Sequence, residues 1–164
     1  MPDFRAAERT FQLLTQVAGR AGRGDKPGEV IIQTFSPDHY SVQCAVSQDY
    51  LAFYQQELEY RRELKYPPFS RLANIICSDS IASQASLRAD RLAAVLKQLA
   101  PKSVEVIGPS EAPLARLKNN WRFHVALRAP VDYNISGLVE SVLTSLMSAD
   151  RMSIQVDIDP LSML

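Results

Sequence analysis

The chain has 164 residues, of which 46% are hydrophobic and 22% charged, enough to bury the core of one domain or of two small ones. Its 18 basic and 18 acidic residues cancel, which excludes a strong overall field, so any contact with nucleic acid would need a local basic patch. The two cysteines, Cys44 and Cys77, and the two histidines, His39 and His124, form no CxxC pair or cluster. The sequence therefore predicts no zinc site, and it favours a reducing cytoplasm.

The N-terminal part of the chain is predicted to be mainly helical. The opening "MPDFRAAERT" enters a helical pattern at once, as expected of a fragment cut from a longer chain. Apolar spacing predicts an amphipathic helix over residues 6–18 that ends at Gly19. The aliphatic run "EVIIQTF" predicts a buried strand over residues 29–35. Helical spacing then continues to Lys65, with a break near residues 47–49.

Two consecutive prolines in "YPPF", residues 66–69, predict a domain junction, because they remove two donors and force an extended backbone. A stiff linker is the favoured interpretation of this segment, and a partner-binding segment is the alternative. Beyond it, strands and helices follow in the order β-α-β-β-α-β, which predicts a ferredoxin-like α+β domain with a four-stranded antiparallel sheet and both helices on one face. The predicted strands cover residues 70–78, 103–109, 120–130 and 152–160, and the predicted helices cover residues 81–100 and 135–147.

The segment "QVAGRAGR" places Arg20 and Arg23 three residues apart, each directly after a glycine. Like charges at this spacing repel, so we expect an anion between them. Guanidinium groups suit phosphate oxygens, and two of them could neutralise the charge on a transferring phosphoryl group. The alternative is an ordinary solvated basic loop. The amphipathic helix before the segment and the predicted strand after it favour the phosphate site.

A second basic segment, "LARLKNNWRFHVALR", has no acidic residue between positions 113 and 131. It predicts a hairpin whose tip contacts phosphate backbone and an unpaired base. Two alternatives stay open: Trp121 belongs to the core beside a solvated basic face, or the hairpin binds a partner protein. The candidate DNA-binding residues are Arg116, Lys118, Asn119, Asn120, Trp121 and Arg122.

These segments carry a family resemblance. "QVAGRAGR" resembles motif VI of superfamily-2 helicases. The stretches "YRRELKYPPFSRLA", "VIGPSEAPLARLKNNWRFHVAL" and "VDIDP" resemble, in the same order, the C-terminal part of the primosomal protein N′ family of bacterial replication-restart helicases. The resemblance implies an α/β chain with the end of a RecA-like helicase lobe over residues 1–35, connecting helices over 36–66 and a ferredoxin-like C-terminal domain over 67–164.

The resemblance also implies roles for single residues. Arg20 and Arg23 match the motif's arginines, which reach across a cleft to the ATP γ-phosphate, with Arg23 as the preferred arginine finger. Gln16 matches the glutamine that links the nucleotide state to lobe closure. Gly19 and Gly22 match the glycines that permit the backbone path.

Several parts of such an enzyme are missing from the sequence. It contains no G-x-x-x-x-G-K-[ST] loop, no DEAH-type motif and no zinc-binding cysteine cluster. ATP and Mg²⁺, and the zinc of the family, would therefore be bound elsewhere in the full-length enzyme, and we expect none on this chain. By itself the chain should hydrolyse no ATP. Because residues 1–35 would be only part of a lobe, we expect them to be partly disordered or paired with another molecule.

As a whole, the resemblance implies the C-terminal part of an ATP-dependent 3′–5′ DNA helicase that recognises stalled or branched forks and restarts replication by primosome assembly. The implied partners are branched and single-stranded DNA, single-strand-binding protein and the primosome proteins, in the cytoplasm. The alternative is a non-catalytic adaptor module that binds nucleic acid or protein.

Overall fold

The computed structural model describes residues 3–21, 28–146 and 153–163. The chain divides into two compact units, one over Phe4–Leu64 and the other beginning at Lys65. None of the described helices combines the length and the apolar character that a bilayer span needs. The elements are α1 (Ala6–Ala21), α2 (Tyr40–Ser47), α3 (Tyr50–Glu63), β1 (Arg71–Asp79), α4 (Ala82–Leu99), β2 (Glu105–Leu117), β3 (Asn120–Ala129), α5 (Ile135–Ser145) and β4 (Ile154–Ile158).

The first unit consists of α1, α2 and α3 around a small aromatic core. The rings of Phe11 on α1 and Phe53 on α3 stack with centroids 4.2 Å apart, and Cys44 on α2 is buried with them. Between α2 and α3 the backbone turns through Gln48, which adopts a positive φ of 55°. Asp49 then caps α3, because its carboxylate accepts a hydrogen bond from the backbone N–H of Ala52 at 2.9 Å.

Two sequence predictions for this unit are wrong. Helix α1 does not end at Gly19 but continues to Ala21, because a glycine costs a helix only about 1 kcal/mol relative to alanine and does not by itself stop it. Residues 29–35, predicted to form a strand, have no regular secondary structure, since a strand needs a hydrogen-bonded neighbour and the described residues of this unit contain no other strand. Of residues 1–35, residues 6–21 form α1, whereas residues 1–2 and 22–27 lie outside the described residues. Partial disorder of this segment, or its pairing with another molecule, stays a prediction.

An ion-pair chain crosses the first unit. Glu8 on α1 accepts hydrogen bonds from Arg5 at 2.6 Å and from Arg61 on α3 at 2.8 Å. Arg61 also binds Glu57 at 2.6 Å, and the hydroxyl of Tyr40 donates to the same Glu57 carboxylate at 2.5 Å. The hydrogen bond from Arg5, together with that from Arg61, lowers the pKa of Glu8 to about 2 despite its partial burial. Burial and the Glu57 carboxylate raise the pKa of Tyr40.

We expect this chain of groups to make the first unit sensitive to acid. The pKa of Glu8 is lowered from 4.5 to about 2, so its stabilising contribution is complete above pH 4.5 and is lost as the pH falls from there towards 2. Water screens part of this interaction, so we expect a loss of about 1–2 kcal/mol. Urea unfolding of wild type and Glu8→Gln, followed by helical circular dichroism at pH 7 and pH 3, measures it. The difference between the two proteins should shrink at pH 3, and a constant difference would contradict the pKa shift.

The second unit is built on a four-stranded antiparallel sheet with the strand order β2-β3-β1-β4. Alternate residues of β1 and β3 form one hydrophobic core with α4 and α5, so both helices cover the same face of the sheet. The α+β architecture predicted from the element order is thereby confirmed, while the end of a RecA-like lobe stays a prediction. The largest fully buried side chains of this core are Ile75, Leu92, Leu96, Val125, Leu127, Ile135 and Val142.

Strand β2 is longer than predicted. The sequence predicts that it stops at Gly108-Pro109, but β2 runs on to Leu117. Its pairing with β3 shifts register between Ile107 and Ser110, so Pro109, which has no N–H, lies within the irregularity and removes no regular ladder bond. Gly108 has a φ of +100°, and a Cβ there would lie 3.0 Å from the carbonyl oxygen of His124. The Gly-Pro pair therefore bends the strand rather than ending it.

Candidate functional site

The extended β2 leads into the basic hairpin. Leu117 pairs with Asn120, and the two residues between them, Lys118 and Asn119, have positive φ values of 48° and 69°. Two left-handed residues in a two-residue loop are typical of a type I′ turn, whose twist matches that of the flanking strands. The structure therefore places Lys118 and Asn119 at the tip, and Asn120 becomes the first residue of β3.

A cation–aromatic pair lies directly behind this turn. Arg116 on β2 pairs with Trp121 on β3, and its guanidinium carbon is 5.4 Å from the centroid of the indole ring. The same guanidinium donates to the side-chain oxygen of Asn119 at 2.5 Å. Phe123 and Val125 join the helix-side core further along β3, whereas Trp121 is half-buried at its end. Arg116 is thus held beside the turn with its position defined by two contacts.

Arg122 is placed differently from the other basic residues of the hairpin. Its side chain is buried, with 8% of the residue exposed, and its Nη1 donates to the backbone carbonyl of Leu114 at 3.2 Å. It therefore stabilises the irregular part of β2, and its contact with DNA stays a prediction.

Neighbouring His124 is also buried, with ring nitrogens 3.2 Å from the Asn74 side-chain oxygen and 3.0 Å from the Ser110 hydroxyl. Burial, aided by the charge of Arg122, lowers the pKa of His124, so it adds no positive charge to the hairpin at neutral pH.

The basic side chains at the hairpin tip, Arg116 and Lys118, form no ion pair with any described residue. Three arginines elsewhere in this unit do pair with carboxylates at 2.5 Å: Arg71 with Asp159, Arg88 with Asp79 and Arg128 with Glu105. Within the described part of the chain, neither Arg116 nor Lys118 contacts a carboxylate. The tip is therefore a local basic site on a chain of zero net charge.

The glycine-arginine segment is only partly described. Gln16, Gly19 and Arg20 are exposed on α1, and the four-residue spacing of Gln16 and Arg20 places them on neighbouring positions of one helix face. Gly22 and Arg23 lie outside the described residues. The structure thus presents three of the five predicted nucleotide-binding residues together on one exposed surface and does not test the pairing of the two arginines.

Replacing Gly19 tests whether α1 requires a glycine at this position. A Cβ added at Gly19 would have no heavy atom within 4 Å, so Gly19→Ala fits without strain. We expect the substitution to stabilise the first unit by about 0.5–1 kcal/mol, because alanine favours the helix. Thermal unfolding followed by circular dichroism measures this, and a lowered midpoint would show that the helix needs the glycine.

The cysteines and His39 have structural rather than catalytic surroundings. Within the described ranges, His, Cys, Asp and Glu side chains form no group of three or more that could hold a metal ion. Cys44 and Cys77 are buried thiols, and burial raises the pKa of Cys44. His39 caps α2 by accepting a hydrogen bond from the Ser41 N–H. The sequence did not predict the hydrogen bond from Arg122 to the backbone carbonyl of Leu114, which lies where the pairing of β2 with β3 is irregular.

Comparison with known proteins gives a consistent result. Residues 62–161 match the family model of the primosomal protein N C-terminal domain. The chain is 40% identical to the "Replication restart protein PriA" of Bacillus subtilis, covering all of this chain and 21% of that protein. It is 37% identical to the protein of the same name from Synechocystis, covering 98% of this chain and 19% of the relative, and 38% identical to that of Treponema pallidum, covering 99% and 25%.

The chain thus spans about a fifth to a quarter of the length of these curated relatives. The family match covers the second unit from β1 to β4, and the similarity to the relatives extends over the first unit as well. The resemblance found in the sequence is confirmed, and the chain belongs to the family of the primosomal protein N C-terminal domain.

Proposed function

We propose that the chain forms the C-terminal part of an ATP-dependent 3′–5′ DNA helicase that recognises stalled or branched forks and restarts replication by primosome assembly. The family match and the relatives named as replication restart proteins support the restart role. The motif "QVAGRAGR" supports the helicase assignment. This proposal implies that the protein works with single-strand-binding protein and the primosome proteins. It also implies that the protein acts in the cytoplasm.

In this proposal the first unit contributes the arginine side of an ATP site. Arg20 and Arg23 would stabilise the charge on the γ-phosphate, and Gln16 would respond to its presence. The exposure of Gln16 and Arg20 on one helix face supports this role, because such side chains are accessible to a ligand held by another domain. ATP and Mg²⁺ would be bound by parts of the complete protein that are not in this chain, so the chain alone would not hydrolyse ATP.

The second unit would contact DNA through the hairpin between β2 and β3. The observation that carries this proposal is the uncompensated charge of Arg116 and Lys118 on a well-defined turn beside Trp121. Arg116 and Lys118 would neutralise phosphates, and Asn119 would offer a hydrogen bond. The indole ring of Trp121 or the guanidinium plane of Arg116 would stack against an unpaired base. Branched DNA, which combines duplex with single strands, fits both kinds of contact.

Binding measured against salt concentration tests the hairpin directly. For the chain with a fluorescent forked DNA, we expect Arg116→Ala and Lys118→Ala each to weaken binding about 3- to 10-fold and to reduce the salt slope by about 1. Lys102→Ala is the matched control, since Lys102 is exposed near the opposite end of β2 from the turn. Unchanged affinity and slope in both hairpin variants would contradict the proposed contact.

A non-catalytic adaptor is the second candidate function. Leu114 and Leu117, which flank the basic tip, are 49% and 44% exposed. Exposed leucines beside positive charge suit an acidic, apolar protein segment as well as DNA. If Leu114→Ser leaves DNA binding intact and the charge variants have no effect on it, the hairpin is better explained as a protein-binding surface.

A further inference from the structure

The ion-pair chain of Glu8, Arg61, Glu57 and Tyr40 connects all three helices of the first unit. One guanidinium, that of Arg61, binds two carboxylates on different helices, through Nε to Glu57 and through Nη2 to Glu8. The side chains are largely enclosed, with 15% of Arg61, 11% of Glu57 and 20% of Glu8 exposed. Tyr40 completes the chain from α2 by donating to the second oxygen of Glu57.

The chain of ion pairs holds the same helix that carries the proposed nucleotide contacts. Glu8 lies in the first turn of α1 and Arg20 in the last, about 18 Å apart at 1.5 Å per residue. Gln12 also donates to Glu8, at 3.2 Å, which continues the polar contacts along the helix towards Gln16. Because an uninterrupted helix is stiff, a shift or rotation of its first turn moves Arg20 with it.

Packing alone does not explain this arrangement. The stacked rings of Phe11 and Phe53 already attach α1 to α3 through an apolar contact. Enclosed ion pairs are costly to desolvate and often stabilise a fold less than apolar side chains of the same size would. Their directional hydrogen bonds, however, fix rotation and register, which stacked rings alone do not.

We infer that Arg61 is a positioning residue, which acts through Glu8 to fix the rotation of α1 and thereby aims Arg20 at the nucleotide. The ion-pair chain then couples the nucleotide state to α3 and α2. This inference rests on the proposed helicase function.

Steady-state ATP hydrolysis by the complete protein, with saturating single-stranded DNA, tests the inference. We expect Arg61→Ala and Glu8→Gln each to lower kcat about 10-fold, while the KM for ATP changes by less than about 2-fold, because orientation and not nucleotide binding is disturbed. Glu59→Gln is the matched control for Glu8→Gln: Glu59 is exposed on α3, and its variant should keep the wild-type kcat.

A double-mutant cycle separates positioning from general damage. Since Arg61 acts through Arg20, adding Arg61→Ala to Arg20→Ala should cause no further loss of kcat. Equal fold losses in both backgrounds, or an unchanged kcat in the single variants, would overturn the inference. If Arg61→Ala does not fold, the same cycle is made with Glu8→Gln, whose helical content is checked by circular dichroism. Unchanged ATPase in Arg20→Ala itself would instead overturn the proposed function, and the inference with it.

Discussion

Replacing Arg23 by alanine in the complete protein is expected to lower kcat for ATP hydrolysis by about 100-fold or more, with DNA binding retained. In the proposed site this guanidinium neutralises charge that develops on the γ-phosphate in the transition state, and removal of such a group costs roughly 3 kcal/mol or more. The measurement is steady-state ATPase with saturating single-stranded DNA, combined with DNA affinity of the same protein.

Two further variants sharpen this result. Arg23→Lys keeps the charge but loses the planar pair of donors, so we expect it to recover only part of the activity. Lys26→Ala removes a positive charge from the same glycine-rich stretch and should leave kcat within about 2-fold, because local charge alone is not the mechanism. Wild-type ATPase in Arg23→Ala would refute the arginine-finger assignment and favour the adaptor function.

The second large effect is expected in the core of the second unit. Leu92 on α4 is fully buried against β1 and β3, and Leu92→Ala should destabilise this unit by about 3–4 kcal/mol through lost burial and a residual cavity. Trp121, the single tryptophan of the chain, lies in the same unit, so its fluorescence in a urea titration reports this transition.

Leu87→Ala is the matched control, since Leu87 lies on the same helix with 42% of its surface exposed. We expect this variant to lose less than about 1 kcal/mol. Equal unfolding midpoints for the Leu92 and Leu87 variants would show that α4 does not pack on the sheet as described.

The sheet could be predicted from the sequence because its signals are local. Alternating apolar residues in β3 and the helical spacing of α4 each lie within one segment, and the element order then limits the topology. The course of β2 could not be predicted, since Gly108-Pro109 normally indicates a strand end and only pairing with β3 shows that the strand continues.

For the candidate sites, residue type was easier to predict than environment. The basic character of the hairpin and the turn at Asn119 follow from composition, but the burial of Arg122 depends on a carbonyl eight residues earlier. Likewise, the contact between Glu8 and Arg61 joins residues 53 positions apart, and no periodic pattern identifies such a pair. The prediction of a strand over residues 29–35 is wrong for a related reason, because an apolar run forms a strand only beside a second strand to which it can hydrogen-bond.

The position of β1 in the sheet has a consequence for synthesis of the chain on the ribosome. β1 is the first strand of this sheet along the chain, yet one of its two edges is covered by β4, which follows about 80 residues later, as in the pairing of Ile75 with Val156. Until that last strand emerges, the unpaired backbone N–H and C=O groups along this edge of β1 stay available to other nascent chains. A product terminated before Ile154 should accordingly accumulate as insoluble aggregate, while the longer product remains in the supernatant.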